Sequence, residues 1–151
     1  MPDLKPSIAH QQHRLIHDIY VLLDDGDRHV LETLSLSPLE FAVLQRLSSD
    51  QGRRLTDIGA ELLCVKSTIT RVVDRLEADG LALRTPDPDD RRAQCLLLTM
   101  RGAAVRERAA ALHDSSVERR MALLTADEQR DLCALLEKLR DGLRQGLVEG
   151  D

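Results

Sequence analysis

Aromatic side chains are almost absent: Tyr20 and Phe41 are the two in the chain, and there is no tryptophan. That shortage argues against modules that stack bases or sugars on exposed rings, such as RNA-recognition sheets, single-strand-binding barrels and methyl-lysine cages. Cysteine is scarce and scattered. Cys64, Cys95 and Cys133 are odd in number, far apart and without metal-finger spacing, so no disulfide framework is expected. No apolar run approaches the roughly 18 residues of a membrane span. The first residues, Met1-Pro2-Asp3-Leu4-Lys5-Pro6, lack the basic and then apolar order of a secretory signal. The chain therefore reads as a cytoplasmic, mostly reduced protein.

Lysine is also rare, with Lys5, Lys66 and Lys138 against a Lys plus Arg total of 21. The formal charge is −5, which excludes a polycation that coats nucleic acid without selection. The deficit is uneven. Residues 1–52 carry a net −4, residues 53–101 a net +1 and residues 102–151 a net −2. A site for an anionic partner belongs in the middle third. No Ser/His/Asp order, glycine-rich phosphate loop or HExxH motif appears, so no enzyme is expected.

What is present is mostly helical pattern. Ser7 can cap a helix carrying Ile8, Leu15, Ile16, Ile19, Tyr20, Leu22 and Leu23 at helical spacing. Asp24-Asp25-Gly26-Asp27 weakens it, although the pattern can continue through Val30, Leu31 and Leu34. Ser37-Pro38-Leu39-Glu40 is a capping box with proline at the first helical position. Thr56 is expected to cap a second short helix with Ile58, Leu62 and Leu63 inside. After a turn near Cys64, a helix runs from about 66 to 78 and stops at Asp79-Gly80. Leu81–Arg84 and Cys95–Leu98 read as strands flanking the turn-rich segment from Thr85 to Arg92. Thr99 caps a long alanine-rich helix. Thr125-Ala126-Asp127-Glu128 opens a last one, with Leu132, Leu135, Leu136, Leu139, Leu143 and Leu147 on one stripe. Such stripes need a partner surface, and a second subunit is a natural one.

The expected fold class is mainly α: a winged helix-turn-helix with a two-stranded β-hairpin wing and N- and C-terminal dimerisation helices. Residues 1–35 form the N-terminal arm, 36–101 the DNA-binding lobe and 102–151 the C-terminal arm. On the helix from 65 to 76, Val65, Ile69, Val72, Val73 and Leu76 share a face that packs inward. Ser67, Thr70, Arg71 and Asp74 lie opposite, with Thr68 and Arg75 on one flank and Lys66 on the other. Small hydroxyls at the start of an exposed helix, with arginine one turn on, suit a helix lying in a major groove. Arg91 and Arg92 at the hairpin tip suit an adjacent narrow minor groove.

Over residues 36–102 the sequence resembles the MarR family of bacterial transcriptional regulators. The likeness is carried by Leu36-Ser37-Pro38-Leu39-Glu40-Phe41-Ala42-Val43-Leu44 and by Ser67-Thr68-Ile69-Thr70-Arg71-Val72-Val73-Asp74-Arg75-Leu76-Glu77. Asp87-Pro88-Asp89-Asp90-Arg91-Arg92 and Leu98-Thr99-Met100-Arg101-Gly102 complete it. The resemblance implies DNA contacts from Ser67, Thr68, Thr70 and Arg71, with Lys66 on phosphate, and Arg92 in the minor groove with Arg91 beside it. It implies that Asp90 orients Arg92 or pairs with Arg75. It further implies a homodimer on a pseudo-palindromic double-stranded operator, usually repressing, and a small-molecule effector in the cleft between dimerisation helices and DNA-binding lobe. No cofactor is implied.

Cys64 departs from the family pattern, standing where many relatives have a turn glycine, so this turn is expected to be built differently. Two other regulators of the same fold stay in view. His10, His13 and His17 share one face of the first helix at metal-ligand spacing, and His29 or His113 could join them. A cysteine could sense oxidant, although all three have apolar neighbours and are expected to act as small core residues. Asp87, Asp89 and Asp90 lack the glycine and closing glutamate of a calcium loop. A helical interaction module without DNA binding is the remaining alternative.

Overall fold

The computed structural model describes residues 7–149, so the segment read above for a secretory signal lies outside the described residues. Among the described residues the chain forms α1 (Ile8–Glu32), α2 (Pro38–Leu44), β1 (Arg53–Arg54), α3 (Leu55–Glu61), α4 (Lys66–Ala78), β2 (Ala82–Pro86), β3 (Gln94–Leu98), α5 (Met100–Met121) and α6 (Ala126–Glu149). Two compact units divide between His113 and Asp114. The first holds the core and the sheet; the second holds the end of α5 and all of α6.

Local chemistry accounts for most boundaries. Ser7 accepts from the His10 amide at 3.4 Å and starts α1. That helix runs unbroken through the acidic stretch, where i,i+4 pairs Arg28–Asp24 at 2.9 Å and His29–Asp25 at 3.5 Å support it. Ser37 and Glu40 close their capping box reciprocally at 3.1 and 2.8 Å. Thr99 Oγ1 accepts from the Gly102 amide at 2.9 Å and starts α5. Glu128 and Thr125 make the corresponding box before α6.

Two expectations about the second short helix of the DNA-binding lobe, the cap at Thr56 and the inward Leu63, need correction. Arg54, not Thr56, occupies the N-cap of α3, and no side chain caps it. Strand β1 leads straight into that helix, so the pairing of Arg54 with Cys95 sets where the helix begins. The following turn is built differently from a Cys64-centred one, as expected: its left-handed residue is Leu63, with φ +51°. The Cys64 amide donates to Gly59 O at 2.8 Å and the Leu63 amide to Ala60 O at 3.2 Å, which is the Schellman arrangement with Leu63 in the glycine position. Leu63 is consequently turned to solvent, 84% exposed, instead of lying inside with Ile58.

The wing is also larger than a two-stranded hairpin. The described strands form one antiparallel sheet in the order β1-β3-β2, with Arg53 opposite Leu96 and Ala82 opposite Leu98. A two-residue strand rich in arginine carries no period to read, so only its pairing with β3 reveals it. Gly52, just before it, approaches β3 so closely that an added Cβ would sit 2.9 Å from Cys95 Cβ.

The core gathers Leu31, Phe41, Val43, Leu44, Ile58, Val73, Leu76 and Leu96 around the inner face of α4. On that helix Ile69, Val72, Val73 and Leu76 are buried, whereas Val65, expected on the same face, is its exposed N-cap. Each fully buried aliphatic side chain contributes about 1.5–3 kcal/mol, so this stripe is the main force seating the helix. The α4 C-terminus closes with Gly80 at φ +70° and the Leu81 amide on Leu76 O at 2.8 Å.

Candidate nucleic-acid interface

Burial of one stripe leaves the other face of α4 to solvent. Lys66, Ser67, Arg71 and Arg75 are exposed, and Thr68 and Thr70 are half-buried. The Thr70 hydroxyl donates back to Lys66 O at 2.8 Å, which leaves its oxygen lone pairs on the helix surface. Among the described residues Lys66 and Arg71 have no ion-pair partner within 4.0 Å, whereas Arg75 is engaged. Its Nε lies 3.4 Å from Glu40 Oε1 and 3.9 Å from Asp79. Glu40 is buried and also closes the α2 capping box, so Arg75 ties the start of α2 to the end of α4. The alternative pairing of Arg75 with Asp90 is therefore corrected.

The link between wing and helix is a different arginine. Arg84, on β2, donates to Asp74 at 2.5 Å and to Glu77, both on α4, and its backbone N–H also reaches Glu77 at 3.2 Å. The hydrogen bond to Asp74 and the charge of both carboxylates hold its guanidinium more firmly protonated than usual. This clamp was missed in the sequence. Its signal is an i,i+3 carboxylate pair on the helix followed by an arginine on the next strand, and only the fold brings them together.

At the wing tip Arg91 and Arg92 are exposed, and the backbone beneath them is ordered by carboxylates. Asp87 accepts from the Asp89 amide at 2.8 Å and the Asp90 amide at 3.0 Å. Asp90 accepts from the Arg92 amide at 3.0 Å, so it meets Arg92 through the main chain. Asp87 is buried and bound by Arg54 Nε at 2.5 Å, with the Cys95 thiol donating at 3.5 Å. The Arg54 hydrogen bond, followed by those turn amides, holds the Asp87 carboxyl well below the usual carboxylate range. Burial, followed by Asp87 itself, pushes the Cys95 thiol up and away from thiolate chemistry.

The cysteines do not behave alike. Cys95 is buried as expected of a core residue, but Cys64 is half-buried and Cys133 is exposed on α6. Exposure of Cys133 follows from its place beside the solvent-facing leucine stripe. On α1, His10 and His17 are exposed; His10 Nδ1 lies 2.7 Å from Ser7 Oγ, and His17 lies 3.9 Å from Asp18. Among the described residues no three His, Cys, Asp or Glu side chains gather as a metal-holding group. His113 instead lies 3.3 Å from Asp27 and 5.4 Å, ring to ring, from Phe41. No described helix is long and apolar enough to cross a membrane.

An open groove of about 1170 Å³ runs between α1 and the start of α2, lined among others by Tyr20, Asp24, Arg28, Leu39, Cys64 and Arg75. Its walls are polar at the α1 side and apolar at Leu36 and Leu39. Tyr20 supplies the one aromatic ring in the lining.

The geometry matches known proteins. The MarR family model matches residues 36–93. The chain is 36% identical over 102 residues to YkoM, an uncharacterised HTH-type transcriptional regulator of Bacillus subtilis, covering 68% of this chain and 66% of that protein. It is 31% identical over 125 residues to an HTH-type transcriptional repressor of Mycobacterium tuberculosis, covering 83% of this chain and 90% of that one. Among solved structures it superposes on a mutant of Escherichia coli MarR complexed with operator DNA, with TM-score 0.77 and 30% identity, covering 84% of this chain and 91% of that one. The fold that carries this helix and wing is thus shared with a DNA-bound relative, and the chain belongs to the MarR family of transcriptional regulators, which are not enzymes.

Proposed function

We propose that this protein is a ligand-responsive homodimeric repressor that binds a pseudo-palindromic double-stranded operator. In this reading Ser67, Thr68, Thr70 and Arg71 meet base edges in the major groove and Lys66 a phosphate, while Arg91 and Arg92 enter the minor groove. Arg75 sets the helix against α2 through Glu40 and approaches DNA at the edge of the site. The observation that carries the reading is the Arg84 clamp, which fixes the wing relative to a recognition helix whose Ser67 and Arg71 are exposed. Fixed spacing between the two is what simultaneous contact with adjacent grooves requires.

The dimer is supported by the exposed apolar residues of the terminal helices. Ile8, Leu15, Ile19 and Leu22 on α1, and Leu135, Leu139, Leu143 and Leu147 on α6, are 44–70% exposed. Two stripes of this size, unpartnered in one chain, fit a second copy of it. Residues 1–35 and 102–151 then act as dimerisation arms around the 36–101 lobe. The groove beside α1, where Arg28 is paired with Asp24 and Arg75 with Glu40, would admit a small effector whose entry shifts α1 against α2 and α4. Repression is the sign of regulation we assign, in line with the repressor among the relatives.

The test is a gel-shift titration on the inverted repeat upstream of the protein's own gene, with sedimentation of the free protein. Dimer sedimentation and one dimer per repeat are expected. An Arg92→Ala protein that binds as tightly as wild type would remove the wing from the reading.

A further inference from the structure

Three described helices end in the same left-handed motif, and in two of the three the left-handed residue is not glycine. The motif closes α4 with Gly80 and α1 with Ser35, but α3 with Leu63. A residue with a Cβ is disfavoured in this backbone region, and a bulky aliphatic side chain more so than a small polar one. Nothing among the described residues offsets that cost through packing, because the Leu63 side chain is 84% exposed. Two residues on, Val65 holds the N-cap of α4, where Ser, Thr, Asp or Asn would accept a hydrogen bond from the first turn. Val65 makes no such bond and is 68% exposed.

Leu62 and Cys64, which alternate with them, turn into the groove beside α1. Leu63 and Val65 therefore form an apolar pair facing solvent at the entrance of α4, next to Lys66 and Ser67. Two successive departures from local stability, both at the mouth of one helix, point to a contact made outside the chain. The first turn of a recognition helix is the part that meets base edges, and the apolar group a major groove offers there is the thymine 5-methyl.

We infer that Leu63 and Val65 read the 5-methyl group of a thymine in each operator half-site, Val65 directly and Leu63 as the outer wall that excludes water. This rests on the reading of α4 as the groove-reading helix. The specificity it adds is for a methyl, separate from anything Arg71 or the hydroxyls can recognise.

The experiment uses a duplex selected by the full-length protein from a randomised library, with each thymine replaced in turn by uracil, which lacks the methyl. At one thymine per half-site the wild type should bind about fourfold more weakly, the worth of one buried methyl group. Val65→Ser should bind the thymine and uracil duplexes alike. Both Val65→Ser and Leu63→Gly should melt at or above the wild-type temperature while binding the thymine duplex more weakly, a combination that a merely structural role does not produce. The inference is overturned if no uracil replacement weakens the wild type, if Val65→Ser keeps wild-type sensitivity to uracil, or if Leu63→Gly keeps wild-type affinity. Failure of the wild type to select any duplex would overturn the DNA-reading proposal itself, together with this inference.

Discussion

The Arg84 guanidinium on β2 donates to the Asp74 carboxylate on α4 at 2.5 Å, across ten residues of sequence that include the whole turn into the sheet. It also binds Glu77, so one side chain joins the wing to the recognition helix at two points. Arg84→Ala should lower stability by only about 0.5–1 kcal/mol, since Arg84 is half-buried but water screens its exposed carboxylate partners. Operator affinity should fall further than stability alone accounts for, because helix and wing no longer share one geometry. Arg84→Lys should restore charge but not the forked contact, and so recover only part of the affinity. Chemical denaturation and gel-shift titration of the three proteins check this.

Asp87 governs the acid behaviour of the wing. Its carboxyl titrates well below its ordinary value because Arg54 and two turn amides bind the charged form. A depressed folded value means that its stabilisation is complete above the unfolded pKa of about 3.9 and is lost as pH falls through the lower folded value. Asp87→Asn should therefore be less stable than wild type at neutral pH, and the gap should close on acidification below about pH 4. Melting temperatures of both proteins across that range provide the measurement. A gap that stays constant into acid would contradict the assignment.

Gly102 permits the close approach of α5 to the strand entry. A Cβ there would stand 1.9 Å from Leu81 O, a backbone atom that also accepts the Thr99 amide at 3.2 Å. Gly102→Ala should cost about 3 kcal/mol or more, at the upper end of overpacking penalties, even though alanine favours helix. Gly142, with nothing within 4 Å of its added Cβ, is the control. Gly142→Ala should leave stability unchanged or slightly raised in urea titration.

Contacts of arginine with bases and with phosphates have different signatures. Arg71→Ala should reduce operator affinity by about 1–3 kcal/mol and relax preference at one base pair. Lys66→Ala should weaken binding to all sequences alike and reduce the slope of log affinity against log salt by about 1. Titrations at several salt concentrations on operator and scrambled duplexes separate the two.

Charge on the α6 stripe tests the dimer. Leu139 and Leu143 lie one turn apart on that stripe, 44% and 63% exposed. Leu139→Glu with Leu143→Glu should shift sedimentation from dimer to monomer and abolish operator binding. Retained dimer would place the subunit contact elsewhere.

Features set by near neighbours in the chain were legible from the sequence. Ser37-Pro38-Leu39-Glu40, Thr99 with Gly102, Thr125 with Glu128 and Asp79-Gly80 each declare a helix end, because cap and capped amide lie within four residues. The inward stripe Ile69, Val72, Val73 and Leu76 is equally local, as helical period alone sorts it from Ser67 and Arg71. Expectations failed where a position obeys no local preference. Thr56 has a capping side chain but follows a strand that sets the entry to α3. Leu63 adopts a glycine backbone, and Val65 caps α4 without a hydrogen-bonding group.

The sparse aromatics and the uneven charge with which the sequence began already turned attention from base stacking to groove reading in the middle third. Composition and period suffice for that, since both are properties of neighbouring residues. Pairing of Arg84 with Asp74 and Glu77, of Arg54 with Asp87, and of β1 with β3 followed only from the folded chain. Each joins side chains or strands that are distant along the sequence or carry no period. Their partners are chosen by where the buried stripe of α4 seats that helix, and a carboxylate cannot show in sequence which of many arginines will reach it.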